Sequence, residues 1–424
     1  MPLDTALEQP ELFPEIATRP KIIPRPEHPI SRKNIDREAL KVLYRLKGAG
    51  YLAYLVGGSV RDLLLGKRPK DFDVGTDARP EEIRRLFRNS RIIGRRFRLV
   101  HVFFKGGKYI EVVTFRGRDE DGDEPCCDQN TYGTPAEDAF RRDLTINALF
   151  YNIADFSIID YVGGMEDLRR GVIRIIGEPN IRIIRDPVRM MRAIRHAAKT
   201  GFSIDQQTYE AICRQKTKIR LCSPMRVRDE WLKDLQGGWA SPWAKLMFET
   251  GLFDEIFPAY GRLLRENPET RKLVLKLLAE LDKETARGDG LGEAEKMAIF
   301  AYPYVLIQTG LAHGPPKRPR TPLSEVRAVL ADVIYPFDFK RALFEEASQL
   351  LAGLWPLKFY LSRQGEIPRR LRKKSYFVRL WHLFEIIKRA EGGVLVTSAP
   401  KRKRRRKKKK NISPETTEVR HHPL

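Results

Sequence analysis

Apolar positions Leu40, Val42, Leu43 and Leu46 recur at helical spacing, with Asn34 or Asp36 as cap and Gly48/Gly50 as stop. The pattern predicts a helix over Asp36–Gly50. It then shortens to strand-like runs. Leu52–Val56 predicts a strand, Val60–Leu65 a short helix ended by Gly66, and Asp71–Gly75 a second strand. Pro80 opens a helix that runs to Phe87. Leu99–Phe104 and Tyr109–Phe115 read as strands joined at Gly106-Gly107. The polar stretch Asp119–Thr134 reads as a loop. Beyond Gly163-Gly164 the alternation fades. Apart from a short strand at Val172–Ile176, the chain to Gly392 reads as helices, among them Pro224–Leu235, Arg271–Leu281, Leu323–Val333 and Ser375–Arg389. The proline-rich residues 1–34 carry no periodicity and predict an extended, largely disordered arm.

This pattern implies an α/β head followed by an all-α remainder, a multidomain α+β chain. The expected divisions are an arm (1–34), a head (35–161), a helical neck (162–222), a helical body (223–392) and a tail (393–424). With 424 residues there is enough chain for two or three cores. No apolar run approaches the roughly 20 residues that span a bilayer. The first residues lack a basic-then-apolar signal pattern, so a cytoplasmic location is the expectation. Cys126, Cys127, Cys213 and Cys222 lack metal-ligand spacing and read as free thiols.

Charge sharpens the picture. The net charge is +24, and ten of those charges sit in one run: Lys401, Arg402, Lys403, Arg404, Arg405, Arg406, Lys407, Lys408, Lys409 and Lys410. The rest of the chain still carries +14. A basic body together with a basic tail points to nucleic acid. The tail run lacks the interleaved aromatics of a lipid-binding helix, which disfavours a membrane partner. Arg95, Arg96 and Arg98 flank Phe97, a mixture suited to single-stranded RNA or a triphosphate; a solvated turn is the plainer alternative.

The candidate chemistry lies in the first strands. Gly57-Gly58 makes a tight turn, followed by Arg61-Asp62 and then Asp71-Phe72-Asp73. In an extended segment Asp71 and Asp73 share a face while Phe72 points to the other. Two carboxylates beside a glycine turn suit a Mg²⁺–nucleotide site and phosphoryl or nucleotidyl transfer. Glu111, a charge inside an apolar strand, either completes a three-carboxylate set or sits on an edge strand, facing solvent or Arg116. Arg141–Leu149 reads as the opening of a helix, with Arg142 placed for phosphate and with Asp143 and Asn147 one turn apart. Arg182–Thr200 reads as one helix with Pro187 in its first turn. Asp186, Arg189, Arg192 and Arg195 recur along it on one face, which suits either a base edge or a salt-bridged surface.

The segments GGSVRD, KDFDV, RRDLTINAL, DYVGGMEDL and DPVRMMRAIRHAAKTG occur in this order. Together they resemble the class II tRNA nucleotidyltransferase/poly(A) polymerase branch of the polymerase β superfamily. Ile30-Ser31-Arg32-Lys33, the stretch Ile93–Val102 and the basic tail favour its bacterial poly(A) polymerases. The resemblance implies a five-stranded catalytic head with helical neck and body. It implies ATP as substrate and two Mg²⁺ ions on Asp71 and Asp73, one activating an RNA 3′-hydroxyl and the other stabilising the leaving pyrophosphate. It further implies triphosphate contacts from Gly57, Gly58 and Arg61, an essential acid at Asp143 beside Arg142, and base reading by Asp186 and Arg189. RNA 3′ ends are the implied partner, and a link to RNA-decay machinery is left open. Two positions depart from the family pattern: Arg185 stands where Glu is usual before Asp186, and His196 where Phe is common. The first reverses a charge where a base would be read. Two other readings stay open, a tRNA CCA- or A-adding enzyme and a non-catalytic RNA-binding protein on the same scaffold.

Overall fold

The computed structural model describes residues 19–94, 98–117, 131–288, 290–311, 317–319, 321–363 and 366–392. Eight of its strands form one sheet: β1 (Lys21–Ile23), β2 (Ala53–Val56), β3 (Asp73–Thr76), β4 (Ser90–Ile93), β5 (Leu99–Phe103), β6 (Tyr109–Thr114), β7 (Leu149–Asn152) and β8 (Ile158–Asp160). Their spatial order is β1-β8-β7-β2-β3-β6-β5-β4. The β3–β6 pair is parallel, and the other pairs are antiparallel. The sheet is thus wider than the five strands the resemblance implied. The additions come from very short edge segments and from β7, which lies inside a stretch expected to be helical.

Alternation along the strands divides the sheet into two faces. Leu55, Val74, Val112 and Tyr151 point to one face, where α1 (Arg37–Gly48) covers them with Ala39, Val42, Leu43 and Leu46. Burying Val42, Leu43 and Leu46 is worth roughly 1.5–3 kcal/mol each. Asp36 caps this helix, its carboxylate accepting from the amides of Glu38 at 2.9 Å and Ala39 at 3.3 Å. Val56, Phe115 and Phe150 point to the opposite face with Tyr54 nearby. That face carries the polar chemistry. Around the sheet lie α2 (Gly58–Leu64), α3 (Pro80–Leu86), α4 (Pro135–Arg141) and α5 (Gly164–Arg170).

Two expectations are corrected here. Residues 19–34, expected as part of a disordered arm, belong to the head: β1 pairs with β8, and Ile23 and Ile30 are buried. Proline content hid three apolar residues that pay no helix or strand period. The segment Arg141–Leu149 does not open a helix. It closes α4, passes through a 3-10 turn at Thr145–Asn147 and enters β7. Residues 1–18, most of the expected loop Asp119–Thr134, Cys126, Cys127, and the whole tail 393–424 lie outside the described residues.

Past the head, β9 (Val172–Ile173) pairs in parallel with β10 (Ser203–Ile204). The expected single helix over Arg182–Thr200 is two helices, α6 (Pro179–Arg185) and α7 (Val188–Thr200). Pro187 lacks an amide hydrogen and disfavours helical backbone in the residue before it. Asp186 accordingly sits at φ −143° and ψ 88°, outside either helix. Next come α8 (Gln206–Gln215) and α9 (Pro224–Gln236). The body continues with α10 (Ala240–Thr250), α11 (Leu252–Ile256), α12 (Pro258–Glu266), α13 (Pro268–Arg287) and α14 (Glu293–Gln308). It ends with α15 (Leu323–Ile334), α16 (Arg341–Ser362), α17 (Arg369–Arg372) and α18 (Phe377–Ala390). Helix α14 is buried from Met297 to Val305 and forms the body's axis. Trp231 of α9 packs against Phe257, Phe300 and Phe337, anchoring α9 in that core. No helix among the described residues is long and apolar enough to cross a membrane.

Candidate active site

β2 ends at Val56, and the chain turns at Gly57 with φ 72° and ψ −143°, a conformation nearly restricted to glycine. The turn delivers α2 and brings backbone to the start of β3. A side-chain carbon added at Gly57 would lie 3.4 Å from Nη1 of Arg142 and 3.8 Å from a carboxylate oxygen of Asp73. The missing side chain therefore opens the space where a phosphate would meet both groups.

Phe72 packs into the α1-side core, whereas Asp73 pairs in register with Val56 of the opposite face. Asp71 and Asp73 thus take the same side, as their spacing requires. Glu111 is the direct cross-strand partner of Asp73. It lies on β6, which is flanked by β3 and β5, so it is not on an edge. Its carboxylate lies 3.5 Å from Nε2 of His101. Burial, then the Glu111 and Asp71 charges, push Asp73 up to about 6, with Arg142 pulling the other way. Three acids against one nearby arginine leave an excess of negative charge. That donor set fits a hard divalent cation. Among the described residues, no group of three or more His, Cys, Asp or Glu side chains closes around a single point. A cation here would take its other ligands from phosphate and water, as Mg²⁺ commonly does.

Arg142 caps the end of α4. Its guanidinium binds Asp138 at 2.9 and 3.1 Å and donates to the Asn147 carbonyl at 3.3 Å. It remains beside Gly57 and Asp73, the cation best placed for phosphate. Arg61 behaves otherwise. It is 2% exposed and holds Asp62 at 2.7 and 2.8 Å, Asn147 Oδ1 at 2.6 Å and His196 Nδ1 at 3.1 Å. Arg61, expected at the triphosphate, here links α2 to α7 as a buried clamp. A side-chain carbon added at Gly58 would lie 3.3 Å from its Nη2. Asp62 also binds Lys199 at 3.2 Å. Arginine can only donate, so His196 Nδ1 accepts. Burial and the nearby Arg61, Arg195 and Lys199 push its pKa well below the ordinary value, keeping the ring neutral.

The cations of α7 do not form one free face. Arg189 binds Asp143 Oδ1 at 2.8 Å and Arg192 binds Oδ2 at 2.6 Å. Their charges and hydrogen bonds outweigh burial and hold Asp143 below the usual carboxylate range. Arg192 also reaches Glu230 at 3.2 Å. Arg195 is spoken for by Glu230 and Asp234 of α9. Its guanidinium nitrogens are all engaged with α9. Asp186 receives Arg226 at 3.0 and 3.2 Å. Glu230, Asp234, Asp138, Arg226 and His101 escaped the sequence reading. Glu230 and Asp234 are four residues apart on α9, and only that i, i+4 acidic pair could have flagged them. Arg98 pairs with Glu81 at 2.6 Å on the exposed surface. Arg95, Arg96 and the ten basic tail residues lie outside the described residues.

Residues 53–174 match the model of the poly A polymerase head domain, and residues 201–263 match one described as "Probable RNA and SrmB- binding site of polymerase A". Poly(A) polymerase I of Salmonella typhi is 40% identical over 391 residues, which is 87% of this chain and 82% of the relative. The Escherichia coli O6:H1 protein of the same name is 41% identical over 394 residues, 89% of this chain and 83% of its own. Among solved structures, the Bacillus stearothermophilus CCA-adding enzyme in complex with CTP is similar at 27% identity and a TM-score of 0.50. That likeness covers 84% of this chain and 93% of that one.

Proposed function

The chain belongs to the bacterial poly(A) polymerases of the class II nucleotidyltransferase family, and from that premise we propose how its site works. It is an RNA nucleotidyltransferase that adds AMP to RNA 3′ ends without a template. The observation that carries the mechanism is the Gly57 turn, which sets Asp73 and Arg142 on either side of one open space. ATP is the substrate and Mg²⁺ the cofactor in this reading. Asp71 and Asp73 hold the metal, with Glu111 beside them reinforcing the negative field. Bound Mg²⁺ supplies charge neutralisation at the phosphates and lowers the pKa of the attacking hydroxyl. Arg142 orients the triphosphate. Asp143 holds Arg189 and Arg192 in place, so that α7 presents a fixed wall to the base. Asp186 offers the base edge a carboxylate that first has to leave Arg226. Arg61, Asn147 and His196 keep the glycine turn and α7 in register.

The bond that forms joins the RNA 3′-oxygen to the α-phosphorus, and the bond that breaks releases pyrophosphate. The head, neck, body and tail boundaries, a cytoplasmic location and a role in mRNA processing belong to the same proposal. The test is 3′ extension of a generic single-stranded RNA and of a tRNA lacking its CCA end, with ATP or CTP separately. Long ladders with ATP on the generic strand are expected. One to three additions confined to the tRNA would instead mean an end-repair enzyme. The tail has a separate signature. Deleting Pro400–Leu424 should weaken RNA binding and flatten its salt dependence, since each lost phosphate contact removes about 0.7 from the log–log slope on a single strand. ATP affinity should stay constant. An unchanged salt slope would remove the tail from RNA binding.

A further inference from the structure

The motif Ile30-Ser31-Arg32-Lys33 has no part in the site above, yet its Ser31, Arg32 and Lys33 line a groove of about 700 Å³. The groove lies between the N-terminal segment, α1 and the β7–β8 turn. Its size falls within the range of small-ligand sites. Arg25, Arg32, Lys33 and Arg37 line it, and no acidic residue does. None of the four enters an ion pair among the described residues; the neighbouring acids Asp36 and Glu38 are instead taken by Lys108. Four cations facing one open space without counter-charge repel each other, so an anion bound there relieves a standing cost.

The aromatic part is equally particular. Tyr44 is 42% exposed, and Tyr151 is buried in the groove wall. Arg32 donates to the Tyr44 hydroxyl at 3.0 Å while lying 4.7 Å from the centre of the Phe156 ring. Phe156 is the sole non-glycine residue with positive φ among the described residues, at 64°. Such backbone is uncommon for a bulky residue and persists only where surroundings fix it. His28 fixes it here, its Nε2 lying 2.8 Å from the Phe156 carbonyl oxygen. Planar rings and guanidinium groups beside unpaired cations are the means by which proteins hold stacked bases and their phosphates.

We propose that this groove is a second binding site for single-stranded RNA, holding one or two nucleotides upstream of the reacting 3′ end. It rests on the reading of RNA as substrate, but adds a contact that the catalytic face does not supply. Tyr151 and α1 belong to the sheet face opposite Asp73. β1 lies three strand positions from β2, roughly 14 Å at about 4.8 Å per strand. A strand engaging both sites has to pass around the β1 edge, so only RNA beyond a minimum length reaches the groove. A short primer uses the catalytic site alone.

The experiment compares the full chain with a variant carrying Lys33→Glu, Arg37→Glu and Tyr44→Ala. All three side chains are exposed, and none belongs to the catalytic machinery. Binding of a labelled 20-mer and a 5-mer of oligo(A) is measured in an Asp71→Ala/Asp73→Ala background, so the result is read whether or not adenylation itself is confirmed. The variant is expected to lose roughly tenfold or more in 20-mer affinity, with the 5-mer unchanged within about twofold. In the catalytic background, KM for the 20-mer rises while kcat and the KM for ATP hold. Equal 20-mer affinity in variant and parent overturns the proposal. So does a loss shared equally by the 5-mer. Loss of AMP binding with unchanged 20-mer affinity assigns the groove to a free nucleotide and overturns the strand reading as well.

Discussion

Asp73→Asn should reduce ATP-dependent RNA extension by about a thousandfold or more, the equivalent of about 4 kcal/mol of transition-state stabilisation. The protein itself should not weaken. Burial together with Glu111 and Asp71 already disfavours the Asp73 charge, raising its pKa to about 6. Removing that charge relieves the repulsion, so metal-free thermal stability should stay level or rise at neutral pH. The sign follows from linkage: a carboxyl raised from its ordinary value binds its proton more tightly in the folded state, and its ionised form works against folding. Lost activity with an undiminished melting temperature separates chemistry from misfolding. Extension within about tenfold of the parent would remove Asp73 from the metal site.

Asp143→Ala should fail in the opposite manner, through the fold as well as the reaction. The carboxylate is the shared partner of Arg189 and Arg192. Taking it away leaves a guanidinium pair facing each other in a partly buried setting. Removing one partner of a buried pair costs about 3–5 kcal/mol. The low end applies, because Arg192 keeps Glu230 at 3.2 Å and the Asp143 side chain is 22% exposed. Urea unfolding should show a loss of about 3 kcal/mol. Adding Arg189→Ala to the first change should restore part of it, since the stranded charge goes too. A double variant whose losses are merely additive would show that Arg189 and Asp143 are not energetically coupled.

Local patterns made the site's centre legible. Gly57, Asp71 and Asp73 are separated by a turn and a strand, both short-range structures, and two-residue alternation places both carboxylates without knowledge of the fold. Glu111 was half legible. Its apolar neighbours announced a strand, but only the parallel pairing of β3 with β6 sets it opposite Asp73. Asp143 and Asn147 were read with the wrong period. Leu144, Ile146 and Leu149 resemble a helix face, yet β7 is claimed by pairing with β2 and β8. Sheet hydrogen bonds prevailed over local preference there. The arginines of α7 suited either a base edge or a salt-bridged surface because their acidic partners lie outside the helix and 35 to 49 residues away, Asp143 for Arg189 and Arg192 and the α9 acids Glu230 and Asp234 for Arg192 and Arg195. The contacts of Arg61 with Asn147 and His196 were not legible for the same reason, both partners being remote in sequence.

Those partners also constrain how the chain can change over generations. Asp143, Arg192, Glu230, Arg195 and Asp234 form an unbroken line of alternating charge from the head's edge into the body. Arg192, Glu230 and Arg195 each have two partners in it, but among the described residues the fully buried Asp234 pairs with Arg195 alone, so a change at Arg195 strands that carboxylate. Drift at Arg195 and Asp234 should therefore proceed by matched exchanges, a change in one accompanied by a change in the other.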